Sequence, residues 1–403
     1  MVQEMLSRQI NRKLAAPAFL ALLFASQTVL GAQWSVDSGL QLSAMHDDNL
    51  YLETAPHSSV WGHTLSPRLS FSRREQNNSL DLGGRVIFNR YSDDKYRDTN
   101  VRILTLGSGY KTQNDDLSLK ANLRRDTTMT TVEEATDETD IDVNLVSVEV
   151  KRRRYDIRPS WSRVLSERLT LDLNYRLRRV AYDNTGNNTL VDYQQHGVEI
   201  GVGGRATERD RISAIVLSSH YEAEETGGVD SQDYGARVNW HHEFSETLSS
   251  DASVGARTTS SKTGGQDTNS TGLLLNAGLV KRYSELTSYR VSVRRSVQPS
   301  GGGRVVQSDQ LYIRFSRTLS PVMTANLRGV VFRNESLEQS SSTLDRTYYS
   351  LEPGLRWSLG RRWACDASYR YRSQKYKDSS QRAESNAVFI AANYTWPLIT
   401  ESR

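Results

Sequence analysis

Seven histidines, one cysteine and a long set of alternating arginines are the residues of this 403-residue chain best suited to chemistry. The histidines are His46, His57, His63, His196, His220, His241 and His242. A hydrolase needs one of them beside a nucleophile and an acid, and a metal centre needs several that converge. None lies in a nucleophile motif. The neighbours His241 and His242 fall on opposite faces of any strand that holds them, so they cannot share a metal. Cys365 has no partner for an internal disulfide and reads as a small apolar wall residue. No catalytic residue, metal ligand or cofactor is expected.

The arginines carry the stronger signal, because they alternate with apolar residues. From Arg168 to Arg178, Leu169, Leu171, Leu173, Tyr175 and Leu177 alternate with Thr170, Asp172, Asn174, Arg176 and Arg178. A strand sorts these onto one oily and one wet face, and a helix cannot. Tyr234, Ala236, Val238, Trp240, His242 and Phe244 repeat the pattern, as do Tyr349 to Leu359 and Trp363 to Tyr371. By parity, the wet face holds Arg68, Arg85, Lys120, Arg124, Arg176, Arg178, Arg205, Arg237, Arg257, Arg290, Arg294, Arg314, Arg328, Arg356, Arg370 and Arg372. Fewer acids share it: Asp81, Asp172, Glu199, Asp233, Glu243, Asp251, Glu352 and Asp366. Val101 to Tyr110 and Ile212 to Tyr221 change apolar parity midway, which suggests a bulge or a misplaced end.

A wet face rich in arginine is not the inside of a packed domain. Hydrophobic residues make up only 37% of the chain, yet Tyr 19, Trp 7 and Phe 8 are spread along it, which argues against disorder. Beyond the N-terminus no apolar run reaches the length of a helical membrane span, and mean hydropathy is −0.60. A membrane β-barrel reconciles these facts, since only alternate strand residues meet lipid. A water-soluble sandwich or propeller also alternates, but it would need apolar residues where this chain has charges, or a blade repeat, and it has neither.

Arg8, Arg12 and Lys13 precede an apolar run from Leu14 to Leu30, with Gly31 and Ala32 at the expected cleavage point. Residues 1–32 therefore read as a secretory signal peptide and residues 33–403 as one barrel domain. No cysteine near that point marks a lipoprotein.

Short turns recur at Glu75 to Asn78, Asn114-Asp115, Ser166-Glu167, Thr207 to Asp210, Ser245 to Thr247, Ser284 to Leu286 and Ser320-Pro321. Longer polar stretches alternate with them: His46 to Ser58, Val132 to Asp140, Asn184 to Asp192, Glu222 to Ser231, Ser260 to Ser270, Pro299 to Gln307, Glu335 to Leu344 and Lys377 to Glu384. Short periplasmic turns and long outer loops are the mark of an outer-membrane barrel. The count predicts an all-β, single antiparallel up-and-down transmembrane barrel of about 18 strands (16 to 20) in the bacterial outer membrane, enclosing a wide aqueous passage.

Charges around an aqueous lumen with low-dielectric walls focus their field, so the basic excess predicts enrichment of anionic solutes. Arg124, Arg176, Arg178, Arg237, Arg290, Arg294, Arg314, Arg356, Arg370 and Arg372 are the expected selectivity residues. The competing reading is mutual neutralisation by acids on adjacent strands. The acidic stretch of Glu133, Glu134, Asp137, Glu138, Asp140 and Asp142 could bind divalent cations or approach lipopolysaccharide through them, though solvation alone explains it. Asp183 to Asn188 lacks the spacing and closing glutamate of a calcium loop and reads as turn chemistry. Net charge is +4, without the basic helix or stripe of a nucleic-acid binder, so no nucleic-acid partner is expected.

Several short motifs carry a resemblance. Asp47-Asp48-Asn49-Leu50-Tyr51 resembles the "DSNIY" opening, and Ser66-Pro67-Arg68-Leu69-Ser70 the "SPxLS" second strand, of outer-membrane β-barrel porins that accompany exopolysaccharide and capsule assembly. Tyr155 to Trp161 and Val191-Asp192-Tyr193 are similar to that family's mid-barrel features. The resemblance implies passage of a secreted polysaccharide, and it carries over no catalytic residue. Tyr394 and Trp396 are in phase for a terminal assembly signal, whereas Ala391 replaces the preferred glycine and Pro397 to Arg403 trail beyond.

The first functional expectation is an export or diffusion channel for anionic or sugar cargo. A non-conducting structural or docking barrel is the second, and an outer-membrane barrel hydrolase the third. Expected partners are outer-membrane lipid and lipopolysaccharide, the barrel assembly machinery, the secreted polysaccharide and periplasmic export components.

Overall fold

The computed structural model describes residues 32–128, 149–183, 190–224, 229–263, 266–299, 305–336, 345–377, 379–396 and 399–402. Nearly all of the expected leader lies outside these residues, as do the acidic stretch from Glu133 to Asp142 and the part of the calcium-like loop beyond Asp183.

Period-two alternation becomes a run of antiparallel strands. They are β1 (Gln33–Asp47), β2 (Val60–Arg74), β3 (Asn78–Tyr91), β4 (Thr99–Lys111), β5 (Asp115–Thr127), β6 (Lys151–Ser166), β7 (Leu169–Tyr182), β8 (Tyr193–Arg205) and β9 (Asp210–Ala223). The run continues with β10 (Asp230–Ser245), β11 (Leu248–Thr263), β12 (Gln266–Ser284), β13 (Thr287–Pro299), β14 (Val305–Ser320) and β15 (Met323–Ser336). It ends with β16 (Arg346–Ser358), β17 (Trp363–Tyr376), β18 (Ala383–Thr395) and β19 (Ile399–Ser402). Each strand pairs with its sequence neighbours, and β1 closes the sheet by pairing with β2 on one side and β18 on the other. The short β19 continues the β18 stave along the start of β1, from Val36↔Ile399 to Gln33↔Ser402, so the barrel has eighteen staves.

Direct cross-strand partners share a face, which fixes what each face holds. Across β4, β5 and β6, Leu104↔Leu123↔Tyr155, Leu106↔Ala121↔Ile157 and Tyr110↔Leu117↔Trp161 form continuous apolar rows on the outside. Aromatic rings border the band near the short turns, where Trp34 lies 5.3 Å from Phe71 and Trp363 lies 4.8 Å from Tyr394. Trp61, Tyr234, Tyr349 and Tyr369 ring the other rim, exposed. An apolar band between two aromatic girdles on a closed antiparallel sheet is the architecture of a bacterial outer-membrane barrel. Cys365 sits in that outer wall opposite Trp357 and Ala392.

The expected turns fall where the strands reverse. Four carry a register irregularity on their preceding strand, at Val164/Ser166, Glu243/Ser245, Arg282/Ser284 and Thr318/Ser320. Three expectations need correction. The ladders through Val101–Tyr110 and Ile212–Tyr221 run without a shift. Their parity changes because Val101, Ile103, Ile215 and Leu217 face inward, not because a bulge intervenes. The stretch from Ser260 to Ser270 is mostly strand rather than loop, since β11 and β12 stay paired out to Thr263↔Gln266.

The third correction concerns the passage. The inner half of the barrel, toward the short turns, presents small residues inward, such as Ser70, Gly83, Gly107, Ser118, Ser162, Gly201, Gly203, Ser213 and Ser253. The outer half is filled. The molecule's buried apolar clusters lie there, built from inward residues of the strand ends and from connections folded into the barrel.

Candidate functional site

The register puts every one of the sixteen sequence-assigned basic residues, and their eight acids, on the inward face. Their surroundings differ, and the differences decide what each can do.

One wall is a basic ladder. Strands β5, β6 and β7 present Lys120, Arg124, Arg152, Arg154, Arg158, Arg176 and Arg178 inward, with Arg124 directly opposite Arg154 and Lys120 opposite Arg158. Two carboxylates hold the set together. Asp126, wholly buried, accepts from Arg124 Nε at 2.8 Å, Arg152 Nε at 3.0 Å and Arg154 Nη2 at 2.6 Å. Asp156 accepts from Arg176 Nη2 at 2.6 Å, Arg178 Nε at 3.1 Å and Arg158 Nε. Each carboxylate thus gathers three guanidiniums at one place on the wall. Shared geometry fixes the fork positions, so the guanidiniums are held at defined places on the wall.

A second wall sets three arginines side by side. Arg290, Arg314 and Arg328 are direct neighbours across β13, β14 and β15, at one level of the barrel. Arg328 Nη2 donates to Glu352 Oε2 at 2.8 Å on β16. Like charges directly opposite one another repel, and Glu352 meets the end of the row. Beside the row, a recess of about 490 Å3 is lined by Arg314, Ser316, Asn326, Arg328, Glu352, Gly354, Asp366 and Ser368. Arg356 faces the lumen half-exposed, 3.5 Å from Asp366, and Arg237 pairs with Glu199 at 2.8 Å. Arg294 lies inward between Asn276 and Gln310.

Arg370 and Arg372 behave differently from the rest of the expected selectivity set. Both are buried, and Arg372 Nη2 donates to Asp47 Oδ2 at 2.8 Å and to the carbonyl of Leu50 at 3.2 Å. Arg370 lies 3.8 Å from the same carboxylate and covers the Phe389 ring at 4.5 Å. These two arginines close the β17–β18–β1 seam and hold the first loop rather than face water.

That loop, residues 48–59, enters the barrel. Asp47 Oδ1 accepts from Asn49 N at 2.9 Å and from Ser385 Oγ at 2.8 Å. Asn49 in turn donates to the carbonyls of Glu53 and Glu384 at 2.7 and 2.9 Å. Leu52, at φ 53°, packs among Tyr312, Phe332, Tyr348 and Ala383. A branched-chain residue at positive φ costs about 1 kcal/mol or more, and burial of its side chain in that cluster offsets the cost. Leu50 packs against Val60 and Tyr96. The Asp47-to-Tyr51 motif is therefore a loop anchor.

Tyr51 ends the anchor by donating its hydroxyl to Glu149 Oε2 at 2.9 Å, which joins the first loop to the β5–β6 connection. Burial pushes both groups up: the Tyr51 phenol also feels the Glu149 charge, and desolvation raises the Glu149 carboxyl despite that hydrogen bond.

The β13–β14 hairpin fills the other side of the mouth. Its pairing with β12 stops at Leu275↔Arg295, while β12 continues along β11 alone. Val297 and Val305 turn into a cluster with Val150, Val180, Tyr182, Tyr193, Tyr221 and Val229, and Arg257 Nη1 holds the Val297 carbonyl at 2.9 Å. Period two does not disclose this, because both valines belong to an ordinary strand pattern.

The carboxylates Asp47, Asp126 and Asp156 were not singled out from sequence. For Asp126 and Asp156 the signal was an acid in inward phase two residues from inward arginines; for Asp47 it was only its place in the Asp47-to-Tyr51 motif. The histidines do not converge: His241 faces the lumen and bonds Asp251 at 2.7 Å, whereas His242 faces outward and bonds Asp210 at 2.7 Å. Among the described residues no serine hydroxyl is bonded to either ring, and no group of three metal-ligating side chains occurs.

No protein-family model matches the chain, and neither does any curated protein sequence. Similar folds occur among solved structures. The FrpB iron transporter of Neisseria meningitidis (F5-1 variant, apoprotein form) shares 9% identity at a TM-score of 0.48, over 89% of this chain and 81% of that one. OccK2 (OpdF) of Pseudomonas aeruginosa shares 13% at 0.48, over 89% and 98%. OpdK of the same organism, solved with vanillate, shares 11% at 0.47, over 90% and 99%.

Proposed function

We propose that this barrel is an outer-membrane channel whose lumen draws anionic solutes, including segments of an acidic secreted polysaccharide, and whose outer mouth is gated by the first loop and by the ends of β13 and β14 at Val297 and Val305. The observation that carries the reading is the gathering of fixed guanidinium groups on two lumen walls: the Asp126 and Asp156 clusters, and the Arg290–Arg314–Arg328 row. Such a field inside a low-dielectric cylinder concentrates anions and excludes cations. The half lined by small residues opens toward the short turns, the periplasmic side, which suits cargo that enters from within the cell. Polysaccharide as the cargo rests on the resemblance of the Asp47-to-Tyr51 and Ser66-to-Ser70 motifs, and export components of the periplasm are then the natural partners. No catalytic step is assigned to the barrel.

Planar-bilayer recording tests this. Under a salt gradient the reversal potential should report anion preference, and a polyuronate added from the periplasmic side should block the current while a neutral glucan of equal length should not. Cation preference, or equal block by both polymers, would refute the reading. The filled outer half favours one alternative, a non-conducting docking barrel; for that reading no current should pass even after the first loop is released.

A further inference from the structure

On the outside of the barrel, Arg102, Arg125 and Arg153 are direct cross-strand partners on β4, β5 and β6. They share the face of Leu104, Leu123 and Tyr155, which lie two residues nearer the membrane centre, about 7 Å along the strand. The row thus stands at the outer edge of the apolar band, on the side of the long loops. Neighbouring strands are about 4.8 Å apart, so three guanidiniums are stacked over about 10 Å of wall.

Side by side, like charges destabilise a sheet. Among the described residues one carboxylate meets the row: Asp183, 3.0 Å from Arg125 and 3.3 Å from Arg153. Arg125 and Arg153 remain half-exposed despite it. Two further cations share this outer face: Arg90, farther out on β3, pairs with Asp98 at 3.3 Å, and Arg179, directly opposite Tyr155, pairs with Glu224 at 3.0 Å. Solubility does not explain charge that faces lipid at this depth. A multivalent anion fixed at the height where hydrocarbon gives way to headgroups does, and the outer leaflet supplies one in the phosphorylated glucosamine headgroup of its glycolipid.

We propose that Arg102, Arg125 and Arg153 form a binding site for the phosphates of lipid A, with the acyl chains lying on the Leu104, Leu123 and Tyr155 surface beneath. Arginine suits phosphate because its planar fork pairs bidentately with the oxygens and stays charged at a membrane interface. Asp183 holds the forks of two of the three in place between lipid exchanges. This site is independent of the cargo of the lumen.

The test uses the full barrel in detergent, with diphosphoryl lipid A, dephosphorylated lipid A and inorganic phosphate as separate probes, and retention read by native mass spectrometry. Diphosphoryl lipid A should be retained about a hundredfold more tightly by the parent than by the Arg102→Gln, Arg125→Gln, Arg153→Gln triple variant. Dephosphorylated lipid A should not distinguish them. Inorganic phosphate at millimolar concentration should not bind the parent; if it binds as well as lipid A, the site is a free-anion site and the proposal fails. A control pair on the far side of the barrel, Arg295→Gln with Arg333→Gln, should retain lipid A as the parent does. Folding of each variant is read from its heat-dependent gel mobility; the single variant Arg102→Gln, which leaves the Asp183 pairs intact, serves if the triple variant does not fold. Undiminished retention by the folded variant would overturn the assignment.

Discussion

Asp47 and Arg372 lie 325 residues apart in the chain and meet at 2.8 Å, Oδ2 to Nη2, inside the closed barrel. Asp47 ends β1 and Arg372 sits on β17, so the bond spans β18 and ties the seam where the first and last staves join. The same carboxylate fixes the start of the first loop through Asn49. One buried acid thus ties both the barrel seam and the start of the first loop.

Removing that acid takes the carboxylate from buried Arg372, a loss of about 3–5 kcal/mol for a buried pair broken on one side. Asp47→Ala is expected to lower the midpoint of heat-dependent gel mobility and, in bilayers, to raise open-state current as the first loop leaves the lumen. Parent-like current together with a parent-like midpoint would show that the latch does neither.

Selectivity should follow exposure rather than mere inward phase. Arg290, Arg314 and Arg356 are exposed to the lumen, while Arg370 and Arg372 are buried. The Arg290→Glu, Arg314→Glu, Arg356→Glu triple variant is expected to fold and to move the reversal potential toward cation preference. Arg372→Glu instead sets a carboxylate against Asp47 and is expected to accumulate as unassembled chain. A triple variant with the parent's reversal potential would assign selectivity to the β5–β7 wall.

What the sequence disclosed, and what it hid, divides along the same line. Strand faces were legible because lipid demands apolar residues at every second position over the band, and Arg176, Arg314 and Arg356 were placed by that demand alone. The occluding segments were not, since nothing in period two tells an acid that latches a loop, such as Asp47, from one that merely wets the lumen, such as Asp81. Val101 and Ile103 misled in the opposite sense. They were apolar in lumen phase because the outer half of the lumen is packed, and a pattern built for water inside had no place for them except a bulge.

The hairpin tip supplies a separate test of occlusion. Val305 is buried among aromatic residues of strands β7 to β9. Val305→Asp places a carboxylate there without a partner, which costs several kcal/mol in that environment and is relieved when the tip swings out. Single-channel records should show longer open dwell times, with the folding midpoint nearly unchanged because the wall ladders stay intact. Unchanged dwell times would leave the first loop as the sole gate.

Acidity should tighten the bridge between the first loop and the β5–β6 connection. Burial raises the Glu149 carboxyl above its ordinary value, so on folding the charged form is penalised. Below the unfolded-state value the group is protonated in both states and the penalty is absent. It grows as pH rises through the folded-state value and is complete above it. The loop bridge is therefore stronger on the acid side, and channel opening should become rarer as pH falls through the window just above the ordinary glutamate range. In Tyr51→Phe, which removes the hydroxyl donor, that pH dependence should change; Glu149→Gln should abolish it. A pH dependence that survives Glu149→Gln must come from another group.

The apolar band makes the last and most general prediction. Leu106 faces outward midway between the aromatic rims, level with Leu82 on one side and Ala121 and Ile157 on the other. An arginine there must strip its hydration or drag water into the bilayer centre, at about 2–4 kcal/mol at the midplane of such a barrel. Arg102, four residues away on the same face, already carries a guanidinium at the rim, where the same charge costs little. Leu106→Arg is therefore expected to slow and weaken refolding into lipid vesicles by that amount, while Arg102→Leu leaves refolding nearly unchanged. Depth is the main difference between the two positions, so a Leu106→Arg variant that refolds like the parent would mean that this face does not meet hydrocarbon, and the strand faces on which the lumen assignment rests would have to be reversed.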